Sequence, residues 1–234
     1  MRKHVDRRRT RPQAAGVVFD CDGVLVDTEG SWGRAYESLF AHYGVILTVT
    51  ARRSLAGLNM LQLSNRLADM LGHAASPEQL GREAYALMRQ HQAETKPLPG
   101  AVALVDRLAG CVPLAVASNA PAHVVIANLE KSFDLAAFTV IVGSDMVAAP
   151  KPAPDVYVAA CAAMNIHPRH TWALEDSAAG ASAALSAGLG VVGVKDPPED
   201  SLPCHVRHPH LADPRLWKSL STLPFTYSPP IEKL

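Results

Sequence analysis

Short apolar runs alternate with helical patterns along most of this chain. Five runs have the length and composition of buried strands, and they cover residues 17–19, 114–117, 140–142, 172–174 and 191–194. Between most of them, apolar residues recur with the spacing of one helix face. Alternating strands and helices are typical of a parallel sheet with helices on both faces, so we predict an α/β fold.

The interval from residue 28 to residue 96 contains helical patterns only. Apolar residues follow i, i+3, i+4, i+7 spacing over residues 32–43 and again over residues 60–71. A further helix is expected to begin at Ser76, with Ser76 as its cap and Gln79 completing a capping box.

The position of this helical interval predicts a second, smaller domain. We expect residues 28–96 to form an all-α cap, inserted into an α/β core of residues 14–27 and 97–234. The insert leaves the core directly after the loop that follows the first strand. Its two connections are therefore candidate hinges, and the cap is a candidate lid over that loop. The basic residues 1–13 are expected to be a disordered tail.

Composition limits the classes of function. The chain of 234 residues has 22 basic and 22 acidic side chains, so we expect neither nucleic acid nor a membrane as partner. Residues 177–194 lack charge, but their glycines and serines favour a short helix followed by a strand over a membrane span. No CxxC pair and no leader-type apolar stretch is visible. We therefore expect a cytoplasmic protein that is a monomer or a weak homodimer.

The C-terminal segment from residue 196 is rich in proline and histidine. We predict one short helix there, over residues 213–219. His205, His208 and His210 are possible metal ligands, but no cysteine or carboxylate completes a recognised metal-binding spacing. We therefore expect a surface loop around these histidines.

Polar side chains follow four of the apolar runs. In chain order they are Asp20 and Asp22, Ser118 and Asn119, Lys151, and Glu175 and Asp176. Parallel strands bring such loops to one edge of the sheet, which is where open α/β sheets bind ligands. The sequence therefore predicts one polar site built from four separate segments.

The charges of this predicted site favour a metal and a phosphate. At ~4 Å and an effective dielectric of ~20, Asp20 and Asp22 would repel each other by ~4 kcal/mol. Four carboxylates and one ammonium give a net charge of −3, which Mg²⁺ would reduce, and Lys151 and Ser118 suit phosphate oxygens. A carboxylate beside Mg²⁺ can form an aspartyl-phosphate, while a neighbouring acid exchanges protons with the leaving oxygen and with water.

The four motifs together resemble the haloacid dehalogenase superfamily, in its subfamily with a helical cap between the first two motifs. The resemblance covers residues 16–195. It implies a Rossmann-like core, with Asp20 as nucleophile and Mg²⁺ ligand. It implies that Asp22 is the general acid/base, with its backbone carbonyl on the metal. Asp176 would be the third protein ligand, and Glu175 would act through a water.

The same resemblance assigns the phosphate contacts. Ser118 and Asn119 would hold the transferring phosphoryl group, and Lys151 would pair with both Asp20 and the phosphate. Each motif also has a structural explanation, namely a turn, two helix caps and a solvated lysine. Four such coincidences would have to meet at one sheet edge, so we favour the functional interpretation. Cys21 is expected to be a core thiol.

Three reactions of the superfamily can be compared with these residues. Haloacid dehalogenases lack the second aspartate, which Asp22 supplies here, and phosphonatases need a cap lysine, which residues 28–95 lack. β-Phosphoglucomutase has a small residue in place of Asn119 and a histidine where Trp32 aligns. We predict a Mg²⁺-dependent phosphatase for a small phosphorylated metabolite, similar to bacterial sugar-phosphate phosphatases, including those for 6-phosphogluconate. Mutase-type transfer is the alternative, followed by a non-catalytic binding protein.

Substrate choice is expected to come from the cap. Its candidate anion contacts are Arg34, Arg52, Arg53 and Arg66, of which we favour Arg52 or Arg53, near the turn-like Gly57. Arginine would suit a second acidic group on the substrate, because its guanidinium can bind a carboxylate or phosphate through two hydrogen bonds.

Overall fold

Most strands of the protein form one parallel sheet. The computed structural model describes residues 15–55, 58–91, 95–195 and 202–221, so the basic tail lies outside the described residues. In chain order the strands are β1 (Gly16–Phe19), β2 (Val26–Asp27), β3 (Lys96–Pro97), β4 (Leu114–Ala117), β5 (Val140–Val142), β6 (Thr171–Glu175), β7 (Gly190–Val194) and β8 (Val206–His208). The main sheet has the order β5-β4-β1-β6-β7-β8, and each neighbouring pair is parallel. All five predicted strands are confirmed.

The helices in chain order are α1 (Glu29–His42), α2 (Val49–Arg53), α3 (Met60–Met70), α4 (Pro77–His91), α5 (Ala101–Leu108), α6 (Ala122–Leu129), α7 (Asp155–Met164), α8 (Ala178–Ser186) and α9 (Leu216–Leu220). Helices α5 to α9 contribute to the core around the main sheet, whereas α1 to α4 lie between β2 and β3 in the chain. The uncharged stretch at residues 177–194 is a helix followed by a strand, as predicted. Within the described ranges, no helix is long and apolar enough to cross a bilayer.

Strand β1 shows why the core has two layers. Successive side chains of a strand point to opposite faces. Val17 and Phe19 belong to an apolar cluster with residues of α5, α6 and α9, while Val18 belongs to a second cluster with residues of α7 and α8. All four residues of β1 are buried, as expected for a parallel strand with helices on both sides. The predicted α/β Rossmann-like fold is therefore confirmed.

Helices α1, α3 and α4 pack on one another around their own apolar cluster. Leu39, Phe40, Leu67 and Leu80 are buried in this cluster. The two connections to the core lie side by side, because β2 and β3 pair as antiparallel strands. A small interface joins the helices to the core, where the Tyr85 hydroxyl lies 3.1 Å from Nε2 of His123 on α6. The boundaries of a separate cap at residues 28 and 96 stay a prediction.

The helix starts in this region differ from the prediction in one detail. Ser76 does cap α4, since its hydroxyl accepts a hydrogen bond from the Gln79 amide at 3.2 Å. The Gln79 side chain, however, donates to Glu83 at 2.8 Å instead of closing the capping box. A complete capping box is found at α3 instead, between Asn59 and Gln62.

The C-terminal segment corrects the expected surface loop. Val206–His208 forms the edge strand β8, and the His208 side chain is buried. Its two ring nitrogens lie 3.0 Å from a carboxylate oxygen of Asp213 and 3.0 Å from the hydroxyl of Ser219. A three-residue strand with a single apolar residue gives no alternation that a sequence pattern can show. The predicted helix at residues 213–219 is α9, which begins at Leu216.

We predict that replacing Asp213 by Asn destabilises the protein at neutral pH but much less in acid. Hydrogen bonds from Arg215 and His208 hold the pKa of Asp213 well below its ordinary value. Its ionised form therefore stabilises the fold above pH ~4, and this contribution is lost as pH falls towards the folded-state pKa. Urea unfolding at pH 7, 4 and 2.5 should show that the difference in free energy of unfolding between wild type and Asp213→Asn decreases as pH falls. Asp106→Asn, at an exposed position on α5, is the control. A difference in free energy of unfolding between wild type and Asp213→Asn that stays the same at all three pH values would contradict the prediction.

Candidate active site

The four polar segments meet at the carboxyl edge of the central strands. Asp20 follows β1 directly, Ser118 follows β4, and Glu175 is the last residue of β6. Lys151 lies in the loop between β5 and α7. These four side chains are buried, so their polar groups need partners inside the protein.

Lys151 joins two of these segments through its ammonium group. Its Nζ donates to Asp20 Oδ1 at 2.5 Å, to Glu175 Oε1 at 2.6 Å and to the carbonyl oxygen of Ala117 at 2.9 Å. Burial alone would lower the pKa of Lys151, but the carboxylates of Asp20 and Glu175 raise it above its ordinary value. The ammonium is therefore charged, and all three of its hydrogens have acceptors.

Asp22 is held by two hydroxyl groups. Thr28 Oγ1 donates to its Oδ1 at 2.8 Å, and Ser118 Oγ donates to its Oδ2 at 3.3 Å. Burial raises the pKa of Asp22 above its ordinary value, while these two hydrogen bonds oppose the shift. A carboxyl group with a raised pKa is suited to taking and giving a proton. Thr28 stands at the N-terminus of α1, so the start of the helical insert contacts this carboxylate directly.

Three acids lie close enough together to share a metal ion. Asp20, Glu175 and Asp176 each offer an oxygen, and these oxygens lie within 4.8 Å of one another. Burial, and next the Glu175 carboxylate, raise the pKa of Asp176 to about 7. Burial also raises the pKa of Asp20, and carboxylate oxygens grouped in this way are the donors that Mg²⁺ prefers. The donor set therefore matches the predicted metal.

Gly23 makes room for this arrangement. Its φ of 87° lies in the left-handed region, and a Cβ at this position would collide with the carboxylate of Asp176. The loop after β1 can therefore approach the end of β6 only with glycine at this position.

Glu175 accepts hydrogen bonds from several side chains. Besides Lys151, the Tyr157 hydroxyl donates to Oε1 at 2.5 Å and the Ser177 hydroxyl donates to Oε2 at 3.1 Å. Gly180 borders the carboxylate so closely that a Cβ there would overlap it. Tyr157 was not predicted as a site residue, because in sequence it belongs to the apolar face of α7 and its partner is 18 residues away.

Asn119 contacts the backbone of Lys151. Its Oδ1 accepts from the Lys151 amide at 2.8 Å, and its Nδ2 donates to the Lys151 carbonyl oxygen at 3.2 Å. The side chain therefore fixes the loop that presents the lysine, and a contact between Asn119 and a phosphoryl group stays a prediction. Cys21 is a core thiol, as expected, since it is buried among apolar residues that include Val24 and Leu25.

The two favoured cap arginines have other neighbours. Arg52 lies 3.3 Å from Glu37 and packs over Gly33 of α1, while Arg53 is exposed. In the part of the chain that the structure describes, the side-chain partner of Arg52 is Glu37 and not one of the acids at the sheet edge. A role for Arg52 or Arg53 in substrate binding stays a prediction.

A parallel α/β core with a helical insert and a buried acidic site at its carboxyl edge is the scaffold of an enzyme. The chain belongs to the haloacid dehalogenase-like hydrolase family, whose model matches residues 17–194. The family resemblance and the prediction of an enzyme of this class are therefore confirmed.

Named relatives include phosphatases. The chain is 29% identical over 182 residues to the fructose-1-phosphate phosphatase YqaB of Escherichia coli, covering 77% of this chain and 96% of that protein. It is 30% identical over 179 residues to the validoxylamine A 7'-phosphate phosphatase of Streptomyces hygroscopicus subsp. limoneus, covering 76% and 84%. The crystal structure of β-phosphoglucomutase from Clostridium difficile matches with a TM-score of 0.77, covering 88% of this chain and 96% of that one. At 19% identity, that match supports the fold alone.

Proposed function

We propose that this protein is a Mg²⁺-dependent phosphatase that hydrolyses a small phosphorylated metabolite, a sugar or sugar-acid phosphate, through an aspartyl-phosphate. The observation that carries the proposal is the placement of two aspartates in different surroundings. Asp20 contacts the charged Lys151, whereas Asp22 accepts hydrogen bonds from the neutral hydroxyls of Thr28 and Ser118. Burial raises the pKa of both acids, but the largest opposing effect is the Lys151 ammonium at Asp20 and the two hydroxyls at Asp22. This difference in partners is what would divide the roles of nucleophile and proton carrier between them.

In the proposed reaction, these residues have separate roles. Lys151 holds one oxygen of Asp20, and the Asp20 carboxylate attacks phosphorus as the bond to the leaving oxygen breaks. Asp22 gives its proton to that oxygen. It then takes a proton from the water that attacks phosphorus in the aspartyl-phosphate, which releases inorganic phosphate and restores Asp20. Ser118 and Asn119 hold the phosphoryl group in this scheme.

The proposed Mg²⁺ would be held by the carboxylates of Asp20 and Asp176, the backbone carbonyl of Asp22, and Glu175 through a water. When bound, it would screen the negative nucleophile from the negative phosphate. The cluster of Asp20, Glu175 and Asp176 supports this assignment.

Two other functions stay as alternatives. Mutase-type transfer would use the same core residues, and it would appear as production of glucose 6-phosphate from β-glucose 1-phosphate with added glucose 1,6-bisphosphate. A non-catalytic binding protein is disfavoured because Asp20, Asp22 and Lys151 are all present and clustered. The cytoplasmic location and the monomeric or weakly dimeric state stay predictions from composition.

We expect the purified protein to hydrolyse p-nitrophenyl phosphate only with Mg²⁺, and to release phosphate from some members of a panel of sugar and sugar-acid phosphates. Because Mg²⁺ would bind the folded state alone, it should also raise the melting temperature, by the equivalent of about 2.7 kcal/mol at 100 times its Kd. EDTA should reverse both effects. Hydrolysis that is unchanged by EDTA, or absent for every substrate with Mg²⁺ present, would contradict the proposal.

A further inference from the structure

The buried hydroxyl of Tyr157 donates its hydrogen bond to Glu175. The Tyr157 ring is fully buried on α7, and its hydroxyl donates to the same Oε1 atom that accepts Lys151 Nζ. The ammonium also lies 5.1 Å from the centre of the tyrosine ring. We propose that Tyr157 is a positioning residue, whose hydroxyl weakens the hold of Glu175 on Lys151 so that the ammonium serves Asp20 and the phosphoryl group. This inference rests on the proposed function.

Competition for the lysine is the first reason. The three hydrogens of Lys151 already have acceptors, two of which are carboxylates, so a phosphoryl oxygen can gain a contact only if one acceptor gives way. The Glu175 bond is the one that Tyr157 can modulate. A second donor on Oε1 shares the negative charge of that oxygen and reduces its attraction for Lys151.

Packing does not explain the hydroxyl, which is the second reason. A phenylalanine ring would fill the same space on α7, and a buried hydroxyl needs a hydrogen-bond partner to offset its desolvation. The partner here is a carboxylate on β6 that already receives Lys151 and Ser177. The hydroxyl therefore completes a polar network and adds no apolar contact.

The chain provides a matched control for its removal. In the helical insert, the Tyr43 hydroxyl donates to the carboxylate of Glu83 at 2.9 Å, so Tyr43→Phe removes the same type of bond away from the site. We expect Tyr157→Phe to lower kcat about tenfold with KM changed less than twofold. Without the hydroxyl, Glu175 would hold Lys151 more tightly, and the contact between Lys151 and the phosphoryl group, which matters most in the transition state, would be weaker. Tyr43→Phe should leave both constants unchanged.

Binding of two anions provides a readout that does not depend on turnover. Orthovanadate can adopt the five-coordinate geometry of the transferring phosphoryl group, whereas inorganic phosphate resembles the product. Calorimetric titration in Mg²⁺ should show vanadate affinity about tenfold weaker in Tyr157→Phe and phosphate affinity within twofold of wild type. In a Glu175→Gln background, adding Tyr157→Phe should change vanadate affinity less than twofold, because the hydroxyl acts through the carboxylate.

Several results would overturn this inference. These are wild-type kcat and vanadate affinity in Tyr157→Phe, an undiminished tenfold effect in the Glu175→Gln background, or a Tyr157→Phe protein that no longer folds, since its hydroxyl would then serve stability. Absence of Mg²⁺-dependent hydrolysis in the wild-type protein would instead contradict the proposed function.

Discussion

Asp20→Asn should abolish phosphatase activity, by a factor on the order of 10⁴ or more in kcat, without destabilising the fold. An amide oxygen is a poor nucleophile, so the proposed aspartyl-phosphate cannot form. The asparagine fills the same space, and Lys151 keeps its contacts with Glu175 and the carbonyl oxygen of Ala117. A factor of 10⁴ corresponds to about 5.5 kcal/mol of activation free energy.

Asp20→Asn should keep or increase the stability of the protein while it abolishes activity. Burial raises the pKa of Asp20 well above its ordinary value, and the neighbouring acids add to that effect. Replacing one acid of the crowded site by an amide removes repulsion, so we expect an equal or higher melting temperature in EDTA. Asp27→Asn, at an exposed position on β2, should leave activity within about twofold of wild type. Turnover above about 1% of wild type in Asp20→Asn would contradict the proposed nucleophile.

The sheet and its polar edge could be predicted because they depend on local patterns. Each central strand is a continuous apolar run, and its polar loop follows immediately in sequence. A parallel topology then brings those loops together whatever their separation along the chain. Asp20 and Lys151, 131 residues apart, come into contact for this reason. The short edge strand β8 lacks such a pattern and was missed.

The contacts that refine the site could not be predicted in this way. Tyr157 and Thr28 look like a core residue and a helix start in sequence, and their hydroxyls acquire a role only through partners on other segments. Gly23 and Gly180 matter for the space they leave beside Asp176 and Glu175, which depends on how strands and loops approach each other. Sequence patterns identify which residues are polar or apolar, but not which polar atoms meet.

Lys151→Met should have the largest effect on stability of any change at this site. The substitution removes the buried ammonium that lies between Asp20 and Glu175, so the negative charges of these two acids lose their cationic partner. Removing one partner of a buried ion pair costs about 3–5 kcal/mol, so we expect a loss of this size in the free energy of unfolding measured by urea in EDTA. Activity should be lost as well, because Lys151 is proposed to contact the phosphoryl group.

Two further measurements separate charge from packing in Lys151→Met. If uncompensated negative charge causes the loss, saturating Mg²⁺ should restore part of the stability, and adding Glu175→Gln should do so in EDTA. Lys218→Met, at an exposed position on α9, should change stability by less than about 0.5 kcal/mol. A loss that neither Mg²⁺ nor Glu175→Gln reduces would mean that Lys151 stabilises the protein through its methylene packing instead of its charge. The opposite changes in stability expected for Asp20→Asn and Lys151→Met would then have no electrostatic cause. The proposal that one ammonium offsets the charge of the clustered acids would be wrong.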